Sequence, residues 1–378
     1  MQHDCVVVGG SFAGLACATA LAGAGARVTV LDRKDEPGTK LHTTGILVRD
    51  VIDQVALLDG LPGELVRRVN GVRLYAPSMA SIDLVAPGYF FLATDTPRLM
   101  RWLAQRAEAA GACMRWGTSF TGARYERGGF ELAGGLGRSS FLVGADGPRS
   151  TVARALGLGQ NRRYLAGIEH EYAGLEIEAA DRLHCFIDRR LMPGYIGWVV
   201  QGVGVVQVGL ARRLRAHDAA ELKIAMAAFL RKLAPLFQFP HPPAAVRAGL
   251  IPCGGLVSPL AGRRVMLVGD AAGMVSPVTA GGIHLALKHG LESGHAIADF
   301  LRGRRADPSL QSLPNYPTFR VKRLLRFLFD HFQSDVAFNA LLGTAAMRRA
   351  ASLVYFHRRR VFDEPETARA AGRTAEER

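Results

Sequence analysis

Residues 4 to 32, DCVVVGGSFAGLACATALAGAGARVTVLD, constrain this chain more than any other stretch. Asp4 to Gly9 is almost continuous valine, the pattern of a strand covered on both faces. Ala13 to Ala24 follows as a helix of small residues, and Arg27 to Asp32 as a second strand rich in β-branched side chains. Strand, helix and strand at this spacing make a βαβ unit, the seed of an α/β fold.

The turn inside that unit carries chemistry. Gly9, Ser11 and Gly14 occupy the positions of a G-x-G-x-x-G loop between strand and helix, and Asp32 ends the next strand with Arg33 beside it. In such a loop the first glycine makes the tight turn and the second admits a pyrophosphate to the backbone. The third lets helix and strand pack closely, and the acidic residue accepts hydrogen bonds from an adenosine ribose. Ser11 replaces the second glycine; it is small, and its hydroxyl is expected to donate to phosphate. This is the only such loop, so a separate nicotinamide domain is not expected, and NAD(P)H or another reductant would visit transiently.

Two further segments extend the pattern. LVGADGPRSTVARALGL places Asp146 and Gly147 after a strand and Arg149, Ser150 and Arg154 at the head of a helix. VMLVGDAAGMVSPVTAGGI ends a strand at Asp270, then presents Gly281, Gly282 and Ile283 at the start of a helix running to Leu301. A carboxylate at a strand end can accept from the ribityl hydroxyls of a flavin. Free amides at a helix start face anionic atoms, here the pyrophosphate or the N1/O2 edge of a reduced flavin. The three loops together point to FAD.

Between them, Tyr164 to Leu210 alternates in the manner of an antiparallel sheet. The expected architecture is therefore a Rossmann-like, glutathione-reductase-type FAD-binding domain, discontinuous over 1–70, 95–160 and 248–303. A second, antiparallel-sheet substrate domain takes 71–94 with 161–247. A helical region follows over 304–363, with a polar, disordered tail over 364–378. The helix pattern FRVKRLLRFLFDHF carries an apolar stripe opposite a basic one; burial against the protein is its expected fate, contact with anionic lipid the alternative.

Composition narrows the classes. Five scattered cysteines without a C-x-x-C pair argue against a disulfide framework or a zinc site and fit a reducing cytoplasm, with no metal expected. No segment reads as a membrane span. Lys and Arg total 47 against 33 Asp and Glu. The excess gathers near 212–215, 320–326 and 348–360, without any nucleic-acid recognition motif, so nucleic acid is not an expected partner.

In the order GGSFAG, GADGPRS and GDAAGMVSPVTAGGI, the chain resembles the p-hydroxybenzoate-hydroxylase superfamily of FAD enzymes over most of residues 3 to 303. Within it the chain is most similar to the geranylgeranyl reductase family, through the third segment and through PGYIGWVV, where Tyr195 and Trp198 are candidate substrate contacts. The resemblance implies FAD contacts at Ala13, Asp32, Thr43, Thr44, Arg98, Asp270, Gly282 and Ile283. Thr43 and Thr44 stand where that family has a Cys-Gly pair, so any thiol chemistry is not transferred. On a strand, Tyr195 and Trp198 would face opposite sides unless a bulge at Gly197 intervenes.

Two chemistries follow from a reduced flavin. The first expectation is reduction of C=C bonds in an isoprenoid or other long apolar substrate, by an enzyme that is cytoplasmic and peripheral at the inner face of the membrane. It would draw electrons from NAD(P)H or a donor protein. Arg320, Lys322, Arg323 and Arg326 are candidates to attract a phosphate or anionic lipid on that side. The alternative is a single-component FAD monooxygenase of an aromatic or polyketide-like molecule. A membrane-surface protein that retains a structural flavin or none is the non-enzymatic class. No proton donor is legible.

Overall fold

A computed structural model describes residues 2–214, 218–310 and 316–356. The βαβ unit forms as expected: strand Gln2–Val8, helix Phe12–Gly23, strand Val28–Leu31. Five parallel strands make the centre of an eight-stranded sheet, in the order Val265–Leu267, Gly137–Gly144, Gln2–Val8, Val28–Leu31 and Cys113–Arg115. Val6, Val7, Phe141, Leu142, Val143 and Met266 are essentially inaccessible, because helices or loops cover both faces of the sheet.

Helix Ile283–Leu301 packs along the first helix. Their backbones approach so closely that a Cβ on Gly290 would lie 2.4 Å from Ala13 O, and one on Gly294 2.6 Å from Cys17 O. The small residues of both helices therefore serve to bring two helix N-termini to one end of the parallel sheet, beside the three signature loops.

The second sheet has seven strands, in the order Ala245–Pro252, Tyr164–Ala173, Val205–Arg213, Gly197–Gln201, Arg182–Phe186, Gly71–Tyr75 and Ser81–Val85. It is antiparallel except where Arg182–Phe186 runs parallel to Gly71–Tyr75. Two expected domain limits shift. Strand Ala245–Pro252 pairs along its length with Tyr164–Ala173, so a boundary at 248 cuts a strand. Phe91–Thr94 pairs with Ile46–Val48 and Val66–Val69 in a separate three-stranded sheet rather than in the seven-stranded one.

The C-terminal helices depart most from expectation. Helix Arg320–Phe332 faces the protein with its polar side: Arg326 is buried, with Arg326 Nη2 2.7 Å and Arg213 Nη2 2.5 Å from Asp330 Oδ1. Gln333 just beyond accepts from Gly194 N at 2.8 Å. The apolar stripe points outward, leaving Val321, Leu324, Phe327 and Phe332 between 50% and 72% exposed. Burial of that stripe is thus corrected: the buried face offers carboxylate and backbone partners that suit arginine, and the leucines are left exposed among the described residues. Arg326 likewise leaves the set of cations available to a ligand. The tail over 364–378, residues 357–363 and Arg215 lie outside the described residues.

Candidate functional site

Gly9 ends the opening strand at φ +109°, and a Cβ there would meet Ala145 O at 2.3 Å. One on Gly14 would lie 1.9 Å from Gly9 O. Both positions exclude any side chain, as the loop pattern requires. Asp32 accepts from Gly10 N at 2.7 Å through Oδ2 and from Lys34 N at 2.8 Å through Oδ1, which fixes a buried carboxylate with lone pairs left for hydroxyl donors. Arg33 is exposed. Ser11 differs from expectation: its hydroxyl donates to Ala145 O at 3.0 Å and accepts from Gly14 N at 3.3 Å, so its proton is held between the first two loops and is not offered to phosphate.

In the second loop the Asp146 carboxylate is committed to its own helix. It accepts from Ser150 Oγ at 2.6 Å, Thr151 N at 2.6 Å and Val152 N at 3.1 Å, an N-terminal cap that makes the turn rigid. Burial raises its carboxyl above the usual range against these donors. Beside it a cleft is lined by Arg149, Arg154, Gln160, Asn161 and Tyr164. Asn161 Nδ2 donates to Pro148 O at 3.1 Å and to Asp270 O at 2.8 Å, tying the second loop to the third.

Asp270 follows strand Val265–Leu267, and among the described residues no donor reaches its carboxylate. Burial pushes it up to about 6. Gly282, the N-cap of helix Ile283–Leu301, has no side-chain cap, so the first-turn amides are open to a ligand. Gly281 and Ile283 flank it, and Ala13 is buried beneath, its Cβ close to Gly269. An uncapped helix start, a carboxylate lacking donors and a side-chain-free turn below a ribose-type aspartate fit FAD: an anionic centre with hydroxyls on each side.

The second sheet contributes a polar cluster that the sequence reading missed. Glu169 is 4% exposed; Thr44 Oγ1 donates to its Oε2 at 2.5 Å and Trp198 Nε1 at 2.9 Å, while Oε1 has no hydrogen-bond partner among the described residues. Burial raises Glu169 above the ordinary carboxyl range, opposed by these two donors and by Arg247. Arg247 pairs with Glu171 at 2.7 Å and donates to Thr43 O at 3.0 Å; Gln207 Nε2 donates to Thr44 O at 3.0 Å. The loop holding Thr43 and Thr44 thus rests on three adjacent strands. His42 Nδ1, in the same loop, lies 2.6 Å from Ala248 O.

Tyr195 and Trp198 lie on one side of the sheet. The strand begins only at Gly197, so parity does not govern Tyr195. Its hydroxyl donates to Thr279 O at 2.5 Å, in the loop leading to Gly282, and Trp198 packs into the same apolar cluster as Ala280. The indole lies flat across Gly209, where a Cβ would sit 2.2 Å from it. Arg98 stands apart: half-exposed, its guanidinium is 4.0 Å from both Asp95 and Glu64. Glu169 escaped the sequence reading because EHEYAGLEIE shows alternation but not which of its acids is covered by residues 44 and 198.

Comparison with known proteins agrees with this geometry. Residues 2–327 match the family model described as FAD binding domain. The chain is 30% identical to a menaquinone reductase of Mycobacterium tuberculosis, covering 92% of this chain and 89% of the relative. It is 29% identical to digeranylgeranylglycerophospholipid reductase 2 of Methanopyrus kandleri, covering 84% and 81%. Its fold superposes on a geranylgeranyl bacteriochlorophyll reductase-like protein of Thermoplasma acidophilum with a TM-score of 0.81, at 18% identity over 94% of this chain and 97% of the other.

Proposed function

We propose, for a chain that belongs to the FAD binding domain family and is an FAD-dependent oxidoreductase of the geranylgeranyl-reductase type, that it saturates C=C bonds in the isoprenoid chain of a membrane-held lipid or quinone. Relatives named for prenyl-bearing lipids and quinones support the substrate class. The single structural observation that carries the membrane-held reading is the outward apolar row of helix Arg320–Phe332, which no part of the described chain covers.

Bound and reduced, FAD supplies the hydride. The protein's share is placement. Asp32 would accept from the ribose and Asp270 from the ribityl hydroxyls. The bare backbone at Gly9 and Gly14 and the open amides after Gly282 would take the negative charge of the pyrophosphate and the flavin edge. Trp198 and Tyr195, half-buried and buried respectively, form an aromatic floor for an apolar chain. The cations at the cleft beside Asp146 suit the phosphates of a transient NAD(P)H, with a donor protein as the other source of electrons. Arg320 and Arg323, exposed on the apolar helix, suit an anionic leaflet.

The test is oxygen uptake during turnover. With an excess of reductant and a polyprenyl quinone in anionic vesicles, reduced product should form without stoichiometric oxygen consumption. Hydroxylated product with oxygen consumed one for one would replace this reading by the monooxygenase.

A further inference from the structure

Adding hydrogen across a double bond takes a hydride and a proton, and the second sheet holds a group suited to supply the latter. We propose that Glu169 is the acid of this reduction and that it delivers its proton through the Thr44 hydroxyl. The proposal rests on the reductase reading and deepens it.

Of the hydrogen bonds to Glu169 among the described residues, the one from Thr44 comes from the loop that follows strand Val28–Leu31, and Thr44 is partly exposed where Glu169 is not. Trp198 joins Glu169 to the cluster of Tyr195 and Ala280, hence to the glycine-rich loop ahead of Gly282. Glu169 therefore lies behind the junction of both loops, one hydroxyl away from it. A carboxylate buried this deeply without an ion pair of its own is costly, whereas a carboxyl is not. The neighbouring charges oppose each other: Arg247, opposite Glu169 on the next strand, is paired to Glu171, which itself favours the neutral carboxyl, and His42 is directed to Ala248 O.

The two protonation states differ in one hydrogen bond. In the ionised state Thr44 and Trp198 both donate to Oε2, the arrangement described above. In the neutral state the proton sits on Oε2 and the rotatable Thr44 hydroxyl accepts it, turning its own hydrogen outward. During the reaction the alkene gains hydride at one carbon from reduced flavin. At the other, a C–H bond forms as the Thr44 O–H breaks, and Thr44 takes the Glu169 proton. Glu169 is left as a carboxylate held by two donors and is reprotonated from solvent; the flavin is reduced again by the external two-electron donor.

The experiment uses the FAD-loaded full chain, with anaerobic flavin reoxidation by the prenyl chain of a polyprenyl quinone supplied with its ring already reduced to the quinol, and the infrared C=O band of a protonated carboxyl, as separate readouts. In wild type the band should persist above the ordinary carboxyl range, and reoxidation should slow as pH rises through the Glu169 titration. In Glu169→Gln the band assigned to Glu169 should vanish, FAD binding and reduction by dithionite should hold, and reoxidation by the prenyl chain should fall by roughly 10²–10⁴-fold. If Glu169→Gln does not fold, Thr44→Val should show the same loss with a shifted band, and Thr44→Ser should restore the rate. Wild-type reoxidation that Glu169→Gln leaves unchanged, or the absence of any band lost on substitution, overturns the acid assignment and spares the reductase reading. A wild-type flavin that the prenyl chain does not reoxidise overturns both.

Discussion

Asp32 and Asp270 both close parallel strands, yet their surroundings set them different tasks. Asp32 already receives two backbone amides, so Asp32→Ala should leave Gly10 N and Lys34 N without their partner. The expected cost is about 1–3 kcal/mol of stability, measured by denaturant unfolding of the apoprotein, with FAD affinity reduced at least tenfold. Asp270 receives none, and burial holds it up to about 6. Its raised value means the apo fold loses stability as pH rises from the ordinary carboxyl range through about 6. In the proposed placement the ribityl hydroxyls would stabilise the ionised form, so FAD affinity should fall as pH drops through about 6, and calorimetric titration of Asp270→Asn should show that dependence removed. These residues were legible because each follows a strand inside a spaced motif. Glu169 was not, since its partners Thr44 and Trp198 lie far away in sequence, and only the sheet register brings them together.

Among elements, the paired helices Phe12–Gly23 and Ile283–Leu301 show why small residues recur at the core. A side chain at Gly290 must displace the backbone at Ala13, next to the glycine loop proposed to take the pyrophosphate. Gly290→Val should cost about 1–3 kcal/mol and release bound flavin, read as a lower Tm and a paler protein. Helix periodicity announced both elements but not this spacing, which depends on the facing backbone. Helix Arg320–Phe332 teaches the complementary lesson. Its amphipathic stripe was evident, but periodicity cannot say which face a neighbour takes, and here Asp330, Gly194 and Arg213 claim the polar one. Arg320→Glu with Arg323→Glu, both exposed, should leave Tm within about one degree of wild type while weakening co-sedimentation with anionic vesicles about tenfold or more. Equal sedimentation of this variant and wild type would remove the membrane from the account.

For the molecule as a whole, the chain passes out of the parallel sheet, builds most of the second sheet and returns, so that the loops holding Thr44 and Thr279 meet Glu169 and Tyr195 of the segment that builds the second sheet. The order of the motifs anticipates strands of the parallel sheet on either side of the second sheet in sequence. The strand that crosses the expected boundary at 248 is not anticipated, because a run such as AVRAGLIP has no feature that marks its partner. No helix among the described residues is long and apolar enough to cross a membrane. The central claim is that electrons stored on FAD in this chain leave to a carbon–carbon double bond. Its most direct test is one anaerobic turnover: mix the reduced, FAD-loaded protein with a polyprenyl quinone, follow the flavin absorbance, and weigh the product. The account predicts reoxidised flavin and a prenyl chain heavier by two hydrogens. A flavin that stays reduced until oxygen enters, with the prenyl chain unchanged in mass, would contradict it.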